Sequence, residues 1–283
     1  MTLLRVFLII ILIAMGSQEA SAQTIVTIGS GFSQPKDVAV DVSGNVFVAD
    51  FGNDAVKEIL AASSYTTINT LGYGFSHPYG VDVDTSGNVF VADFNNNSVK
   101  KIQAVDGYVR TLSNIFNLPG GVAVDGAGNV FVADTQNNRV KEIFFAGDYS
   151  QQATLGSGFS GPFSIALDGS GNVFIADTFN NAVKVMLAAG AYTTINTLGS
   201  GFSTPYGVAV DASGNVYVSD TGHNSVKEML AADGYTTIRT VASGFNHPGG
   251  LAVDGKGNVF VADTYNNSVK KILSDVVFAN GFE

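Results

Sequence analysis

The feature that most constrains this chain is a seven-residue motif that returns at a nearly fixed interval. It reads Gly-Asn-Val-Phe-Val-Ala-Asp at residues 44–50, and near copies begin at Gly87, Gly128, Gly171, Gly214 and Gly257. Successive copies start 43, 41, 43, 43 and 43 residues apart. A period of this length is typical of repeat architectures, in which each unit buries its apolar face against its neighbours. The sequence therefore predicts six copies of one structural unit.

Each repeat contains short runs rich in Val, Ile, Phe, Tyr and Thr, separated by clusters of Gly, Asn and Asp. This pattern predicts four strands per repeat, here called a to d, joined by tight turns. An Asp-x-x-Gly-Asn turn follows strand a, where Gly accommodates positive φ and the Asp carboxylate accepts backbone amides. The alternating acids and trailing Glu of a calcium loop are missing, so we interpret these turns as structural.

Two further residues recur once per repeat. An aspartate ends strand b and is placed to cap the turn that follows (Asp50, Asp93, Asp134, Asp177, Asp220, Asp263). A lysine lies in strand c (Lys57, Lys100, Lys141, Lys184, Lys227, Lys270). We expect these lysines to form a solvated strand face with their stems over apolar surface, rather than a basic binding ring. A tyrosine is expected to open strand d in five repeats (Tyr65, Tyr108, Tyr149, Tyr192, Tyr235).

Side-chain size changes between the first two strands of each repeat. Strand a carries Ala at one position in five copies, whereas strand b carries Phe or Tyr in all six. Such a taper predicts a radial arrangement with strand a next to the central axis. We therefore predict an all-β fold, a six-bladed β-propeller whose blades are four-stranded antiparallel sheets.

The ends of the repeat array predict how the ring closes. Residues 24–35 align with residues 67–78, which contain strand d of the first repeat, whereas the sixth repeat ends without a strand d. We expect the N-terminal strand to complete the last blade, so that no blade edge stays open.

The first residues have the pattern of a cleaved secretory signal. Arg5 precedes an apolar run from Val6 to Met15, and Ala-Ser-Ala follows at residues 20–22. A membrane anchor is the alternative, but a spanning helix needs roughly 20 apolar residues. We expect a signal peptide at residues 1–22, a propeller at 23–275 and a short tail at 276–283. The mature protein is then secreted or periplasmic, with no membrane span after signal cleavage.

The charge of the chain restricts which partners it can bind, and its cysteine content restricts which interactions stabilise its fold. The chain has 14 Lys and Arg against 24 Asp and Glu, a formal net charge of −10, and no cysteine. It lacks the basic footprint on which nucleic-acid binding depends, so nucleic acid is excluded as a partner. Without disulfides, the fold must be held by packing and hydrogen bonds. We expect a monomer.

The repeat consensus Pro-x-Gly-Val-Ala-Val-Asp-x-x-Gly-Asn-Val-Phe-Val-Ala-Asp-Thr-x-Asn-Asn-x-Val-Lys resembles the NHL repeat. The resemblance covers nearly all of residues 24–273 and implies the six-bladed propeller of that family. WD-type propellers have a similar period, but their Gly-His and Trp-Asp signatures are absent. In one departure, animal members of the family usually carry Arg just before the first valine of strand c, and here only Arg139 does.

The loops predict where a ligand binds. Antiparallel strands place the b–c and d–a loops on one face, where the copies differ most, here called the variable face. Loops on a rigid scaffold are the usual seat of binding, and aromatic residues beside asparagines suit a peptide, protein or glycan. The alternative is that these aromatics pack over neighbouring turns. The candidate binding residues are Tyr79, Phe163 and Tyr206, the histidines His77, His223 and His247, and Asp82, which replaces the small residue of strand a.

Catalysis has weaker support in the sequence. A catalytic site needs unlike residues that converge on one point, and the blades are nearly identical. We therefore favour a binding module without a cofactor and assign no catalytic residue. The alternative is a metal-dependent lyase or lactonase-like enzyme with its site at the central channel. Some NHL-related enzymes, the peptidyl-hydroxyglycine lyases, hold zinc with histidines in their central cavity, but no motif beyond the repeat matches theirs. Asp82 is then a candidate acid, base or metal ligand, or else a tolerated exchange paired with a lysine or an amide.

Overall fold

The computed structural model describes residues 23–274, which form six four-stranded antiparallel sheets. The predicted signal peptide and C-terminal tail lie outside the described residues. Between residues 23 and 274, no helix is long and apolar enough to cross a membrane.

The strands follow one another in the predicted order. The first, β1 (Ile25–Ile28), precedes the first full blade. Blade one holds β2 (Pro35–Val40), β3 (Val46–Asp50), β4 (Ala55–Ile59) and β5 (Ile68–Leu71). Blade two holds β6 (Pro78–Val83), β7 (Val89–Asp93), β8 (Ser98–Ile102) and β9 (Val109–Ser113). Blade three holds β10 (Val122–Val124), β11 (Val130–Asp134), β12 (Arg139–Phe144) and β13 (Gln151–Leu155).

Blades four to six continue the series. Blade four holds β14 (Pro162–Leu167), β15 (Val173–Asp177), β16 (Ala182–Met186) and β17 (Ile195–Leu198). Blade five holds β18 (Pro205–Val210), β19 (Val216–Asp220), β20 (Ser225–Met229) and β21 (Ile238–Ser243). Blade six holds β22 (Pro248–Val253), β23 (Val259–Asp263) and β24 (Ser268–Ile272), and β1 is its outer strand. Short 3₁₀ turns occupy all six b–c loops and four of the c–d loops.

The six inner strands form a closed ring, because each contacts the inner strand of the next blade and β22 contacts β2. The predicted closure is confirmed: β1 pairs antiparallel with β24, with Ile25 opposite Ile272 and Ile28 opposite Val269. The apolar clusters lie between adjacent blades. The cluster between blades two and three, for example, contains Phe90, Val122 and Ile143, all buried. Each blade is therefore stabilised by its two neighbours.

The a–b turns have the predicted chemistry. Gly44 has a φ of +84°. The Asp41 carboxylate accepts from the backbone N–H groups of Ser43 at 2.9 Å and Asn45 at 2.8 Å. The same arrangement recurs in the other blades, which explains the near identity of these turns.

The aspartate that ends strand b does not cap the following turn through a backbone hydrogen bond, contrary to the expectation from sequence. Asp50 instead connects two loops. Its Oδ1 accepts from the backbone N–H of Ser33 in the approach to strand a at 2.7 Å, and its Oδ2 accepts from the side chain of Asn53 in the b–c turn at 2.7 Å. Since Asp50 is fully buried, these bonds offset the cost of removing its carboxylate from water.

In four blades the strand-c lysine pairs with the buried aspartate, so the expectation of a merely solvated face is wrong there. Lys57 Nζ lies 2.6 Å from Asp50 Oδ2 and 5.2 Å from the ring centroid of Phe32. The stems thus cover apolar surface as expected, but the ammonium groups are paired. Two blades differ. In blade three, Arg139 Nε contacts Asp134 at 2.7 Å while Lys141 faces Gln152. In blade six, Lys270 Nζ donates to Thr27 Oγ1 of β1 at 2.7 Å.

The strand-d tyrosines lie in the c–d turns, one to three residues before strand d begins, and not within the strand as predicted. Four of them have positive φ, for example Tyr65 at +66°. Its backbone N–H donates to Leu60 O and closes the turn, which keeps it out of the ladder of strand d.

Candidate functional site

The central channel is lined by the exposed edges of the inner strands. The Asp41 N–H donates to Asn45 O in the a–b turn, and backbone groups alternate in direction along a strand. The N–H groups of Val38 and Val40 therefore point away from strand b and into the channel. The channel holds a cavity of about 270 Å³ bordered by all six inner strands. Backbone polar groups without a strand partner make its wall polar.

Two aspartates enter this channel and bridge neighbouring blades. Asp37 accepts from the N–H of Val38 at 2.9 Å and, across the blade boundary, from the N–H of Val81 at 3.0 Å. Asp82 accepts from Val83 at 2.8 Å and from Val124 in the next blade at 2.8 Å. Each carboxyl thus supplies acceptors for amides that face the channel.

Burial shifts the acidity of both groups. Desolvation raises the pKa of Asp37 to about 8 and that of Asp82 to about 6, against the opposing effect of the amide hydrogen bonds. Repulsion from Asp82 adds to the rise in the pKa of Asp37. Both side chains lie deep in the protein, and the surface they keep accessible faces the channel cavity. The Asp37 carboxyl is therefore mostly protonated at neutral pH.

Asp37 is a site residue that our sequence reasoning missed. The equivalent positions hold Gly80, Gly121, Ser164, Gly207 and Gly250. The signal was available, since one acid stands where the other copies have Gly or Ser. Ser164 plays a comparable part in blade four, where its Oγ accepts from the N–H of Val208 at 3.2 Å.

Three aromatic side chains at the start of the inner strands form a stack, here called the aromatic cap. The ring centroids of Phe163 and Tyr206 lie 4.5 Å apart and those of Tyr79 and Phe163 lie 5.4 Å apart. Tyr79 and Phe163 are each only 7% exposed. Beneath them the free volume is about 10 Å³, room for roughly one water molecule. The cap therefore separates the channel from the variable face.

The ring is asymmetric around this cap. In four blades a threonine after the strand-b aspartate donates its hydroxyl to the carbonyl of the next blade's first proline, for example Thr135 to Pro162 at 2.7 Å. Blades one and two carry Phe51 and Phe94 at this position instead. Their ring centroids lie 5.9 Å and 5.1 Å from that of Tyr79. Two inter-blade hydrogen bonds are thus replaced by aromatic packing on one side of the channel opening at the variable face, here called the mouth.

Lys36 lies among three of these rings. Its Nζ is 5.0 Å from the ring centroid of Phe51 and 5.7 Å from those of Tyr79 and Tyr265. Within residues 23–274, no carboxylate oxygen lies within 4.0 Å of this ammonium group. Burial lowers the pKa of Lys36. The aromatic faces provide its electrostatic stabilisation through cation–π contacts.

The three candidate histidines share the variable face, but each contacts a different set of neighbouring residues. His77 Nδ1 lies 3.0 Å from Asn95 Nδ2 and 3.3 Å from Asp54 Oδ1. His223 contacts the buried Asp220 at 2.8 Å. The ring of His247 packs 4.5 Å from that of Tyr265. Across the described part of the chain, no three His, Cys, Asp or Glu side chains are grouped as a metal site.

The candidates from sequence thus separate into three groups. Tyr79, Phe163 and Tyr206 come together in the cap, and Asp82 lies below them in the channel wall. The histidines stay in the surrounding loops. The exposed aromatic surface belongs to other residues: Phe179 and Tyr265 are 58% and 51% exposed on the same face.

The repeat itself identifies the family. The NHL repeat profile matches residues 32–58, 75–102, 116–143, 202–228 and 245–272, and the structure adds a sixth blade of the same form between the third and fourth matches. The chain belongs to the NHL-repeat β-propellers. The unmatched blade of this NHL propeller is blade four, whose inner strand departs from the consensus at Ser164, Ile165 and Leu167.

Solved structures share the fold of this NHL propeller at low sequence identity. A gluconolactonase from Xanthomonas campestris superposes with a TM-score of 0.76 at 13% identity, covering 88% of this chain and 89% of the other. An auxiliary nutrient binding protein from Bacteroides thetaiotaomicron gives 0.72 at 13%, covering 88% and 75%. Inactive virginiamycin B lyase from Staphylococcus aureus with quinupristin gives 0.63 at 15%, covering 90% and 89%. No curated protein sequence matches the chain. At these identities the likeness is one of fold.

Proposed function

We propose that this NHL propeller is an exported binding module that holds a peptide, protein or glycan on its variable face. The proposal rests on the cluster of aromatic side chains that lies on one side of the mouth. There, Phe51 and Phe94 replace the inter-blade threonines. Lys36 lies among ring faces, and no carboxylate of residues 23–274 pairs with it. Unlike residues from blades one, two and six converge at this one place in an otherwise regular ring.

The stability cost of this arrangement supports a functional role. Each missing Thr–Pro hydrogen bond forgoes about 1 kcal/mol, the usual net contribution of such a bond. Exposed aromatics beside the mouth add surface that makes no contribution to the core. Proteins commonly break their own structural rules where they bind other molecules.

A metal-dependent lyase or lactonase is the alternative function. Asp37 and Asp82 favour it, because raised carboxyl pKa values near neutrality suit proton transfer. Two of the structural neighbours are described as a lyase and a gluconolactonase. Against it, the aromatic cap closes the channel on the variable face, so a substrate would have to enter from the side of the a–b turns. The wall offers two carboxyls, and both already accept backbone amides.

The test is a binding screen with face-specific variants. Protein expressed with residues 1–22 and collected outside the cytoplasm is applied to peptide and glycan arrays. We expect an intact mass that corresponds to a start at Gln23, and at least one class of ligand captured. Phe179→Ala with Tyr265→Ala should weaken capture at least tenfold, since an aromatic anchor contributes about 1–4 kcal/mol.

The matched control is Tyr108→Ala with Phe145→Ala, which removes two aromatics of similar exposure from the c–d side of the molecule. Equal binding by both double variants, or no captured ligand, contradicts the binding proposal. Stoichiometric divalent metal together with chelator-sensitive turnover of a lactone supports the enzyme instead. Retention of residues 1–22 contradicts export by signal cleavage.

A further inference from the structure

The charges around Lys36 restrict which class of ligand can bind at the variable face. Its half-buried ammonium lies between rings from three blades, and within residues 23–274 it has neither a carboxylate within 4.0 Å nor a side-chain hydrogen bond. The strand-c lysines provide the contrast. Lys57 reaches a buried aspartate at 2.6 Å and a backbone carbonyl at 2.6 Å. A cation that the fold leaves without an anion can accept one from a ligand.

The number and type of cations restrict the anion. Lysine offers one point charge, whereas phosphate and sulfate clusters are usually held by several basic groups or by the planar fork of arginine. The chain as a whole carries a net charge of −10 and repels polyanions of high charge density. A single carboxylate is the anion that fits. Asp37, the neighbouring residue, adds little repulsion when it is protonated at neutral pH.

The surroundings of Lys36 favour a sugar as the carrier of that carboxylate. Tyr265 is half-exposed, and its ring lies close to both Lys36 and His247. Flat aromatic faces stack on sugar rings, and the exposed Asn246 beside Tyr265 and His247 has a side-chain amide that can donate to a hydroxyl. An extended peptide would normally add to a free strand edge. The b–c loops of this face are instead 3₁₀ turns whose amides bond within the protein, such as Tyr265 N to Asn246 O at 3.1 Å.

We propose that the variable face binds an acidic glycan, with a uronic-acid carboxylate paired to Lys36 Nζ and a sugar ring stacked on Tyr265. This inference rests on the proposed binding function and specifies its ligand. The carboxylate completes the ion pair that the protein leaves open. The cation–π contacts with Phe51 and Tyr79 hold the ammonium in position before the ligand arrives.

The experiment uses a short neutral oligosaccharide that carries one galacturonic-acid residue, and its methyl ester, which has the same sugar rings without the charge. Titration calorimetry with the wild-type protein should show at least tenfold tighter binding of the acid than of the ester. The difference should shrink as salt is raised from about 50 to 500 mM, because salt screens the ion pair. This comparison needs no variant and so does not depend on the folding of one.

Lys36→Met, which keeps the length and apolar stem of the side chain, should weaken binding of the acid at least tenfold and remove the preference for the acid over the ester. Lys256→Met is the matched control, since it removes one exposed lysine from an a–b turn on the opposite face. It should change neither affinity. Equal wild-type affinity for acid and ester, or an unchanged affinity for the acid in Lys36→Met, overturns the inference.

The inference and the proposed function fail in different ways. Binding of the ester that depends on Tyr265 but not on Lys36 overturns the acidic-glycan inference and keeps the binding function. Capture of a peptide alone does the same. Failure to bind either sugar, with no effect of the Phe179 and Tyr265 substitutions on any ligand, overturns both.

Discussion

In this propeller, the side chain of Asp37 accepts hydrogen bonds from backbone amides that face the channel, as a neighbouring strand would. At the third position of the inner strand, most blades have glycine because the next blade lies too close for a side chain. A Cβ on Gly80 would lie 2.5 Å from the carbonyl oxygen of Gly120. Asp37 occupies the equivalent position in blade one and reaches across to the N–H of Val81. The room for it comes from Gly250 in blade six, where a Cβ would lie 1.7 Å from an Asp37 oxygen.

The raised pKa of Asp37 predicts a specific pH dependence of stability. In the unfolded chain its pKa returns to about 3.8, and in the folded protein it is about 8. The native state therefore binds more protons between these values, and the favourable contribution of Asp37 is lost as pH rises through about 8. Asp37→Ser keeps a hydroxyl acceptor, as Ser164 does in blade four, and removes the titration.

Between pH 4 and pH 9, we expect wild type to lose stability relative to Asp37→Ser by on the order of 2–5 kcal/mol. Urea unfolding at several pH values measures the difference. Parallel stability curves for the two proteins would show that Asp37 ionises normally in the fold.

Within a blade, the recurring structural element is a buried aspartate held by a strand-c cation. Lysine fills this role in blades one, two, four and five. In blade three Arg139 fills it from two residues earlier in the strand, and Lys141 is left beside Gln152. Either position can therefore supply the cation that pairs with the buried aspartate. Animal NHL repeats usually carry Arg at the earlier position, whereas four blades of this chain use the lysine two residues later.

This equivalence predicts that the same substitution has a large effect on stability in one blade and a small effect in another. Lys57→Met leaves the buried Asp50 without its cation and should reduce the free energy of unfolding by about 3 kcal/mol. Lys141→Met removes a cation that faces Gln152 while Arg139 holds Asp134, and it should change the free energy of unfolding by less than about 1 kcal/mol. Arg139→Met is the reciprocal control and should resemble Lys57→Met. Chemical denaturation of the three variants is the measurement, and a large effect of Lys141→Met would contradict the assignment.

At the scale of the whole molecule, stability depends on closure by β1. The strand contributes Ile28 to the cluster between blades six and one, and Lys270 Nζ contacts Thr27 Oγ1 at 2.7 Å. Without β1, the edge of β24 is exposed along its length.

Deletion of residues 23–29 should therefore cost several kcal/mol out of a typical total of about 5–15 kcal/mol. Thermal unfolding should show a clear drop in Tm relative to the chain that begins at Gln23. A synthetic peptide of residues 23–33 added to the truncated protein should restore part of the loss, because it can pair with β24. An unchanged Tm would mean that closure does not depend on this strand.

The repeat pattern was sufficient to predict this architecture, including closure, because residues 24–35 align with a segment that contains a strand d. The mouth was less predictable. Position in the repeat placed Tyr79 and Phe163 on the variable face, but only the distances between blades show that they stack and are buried. The histidines share the predicted face, yet each contacts different neighbours, and the three do not form one cluster. Lys36 and Asp37 differ from their repeat-mates in the sequence but were not among the candidate residues, because their roles depend on contacts between blades that a linear pattern does not contain.

The pairing of β1 with β24 also implies an order for the steps of folding. During synthesis β1 emerges before any blade, and its partner emerges after all the other strands. Until then the ring is open, and the apolar surfaces that blades six and one share remain in water. Such a chain can pass through a membrane pore before its ring closes, since closure needs β1 and β24 on the same side of the membrane.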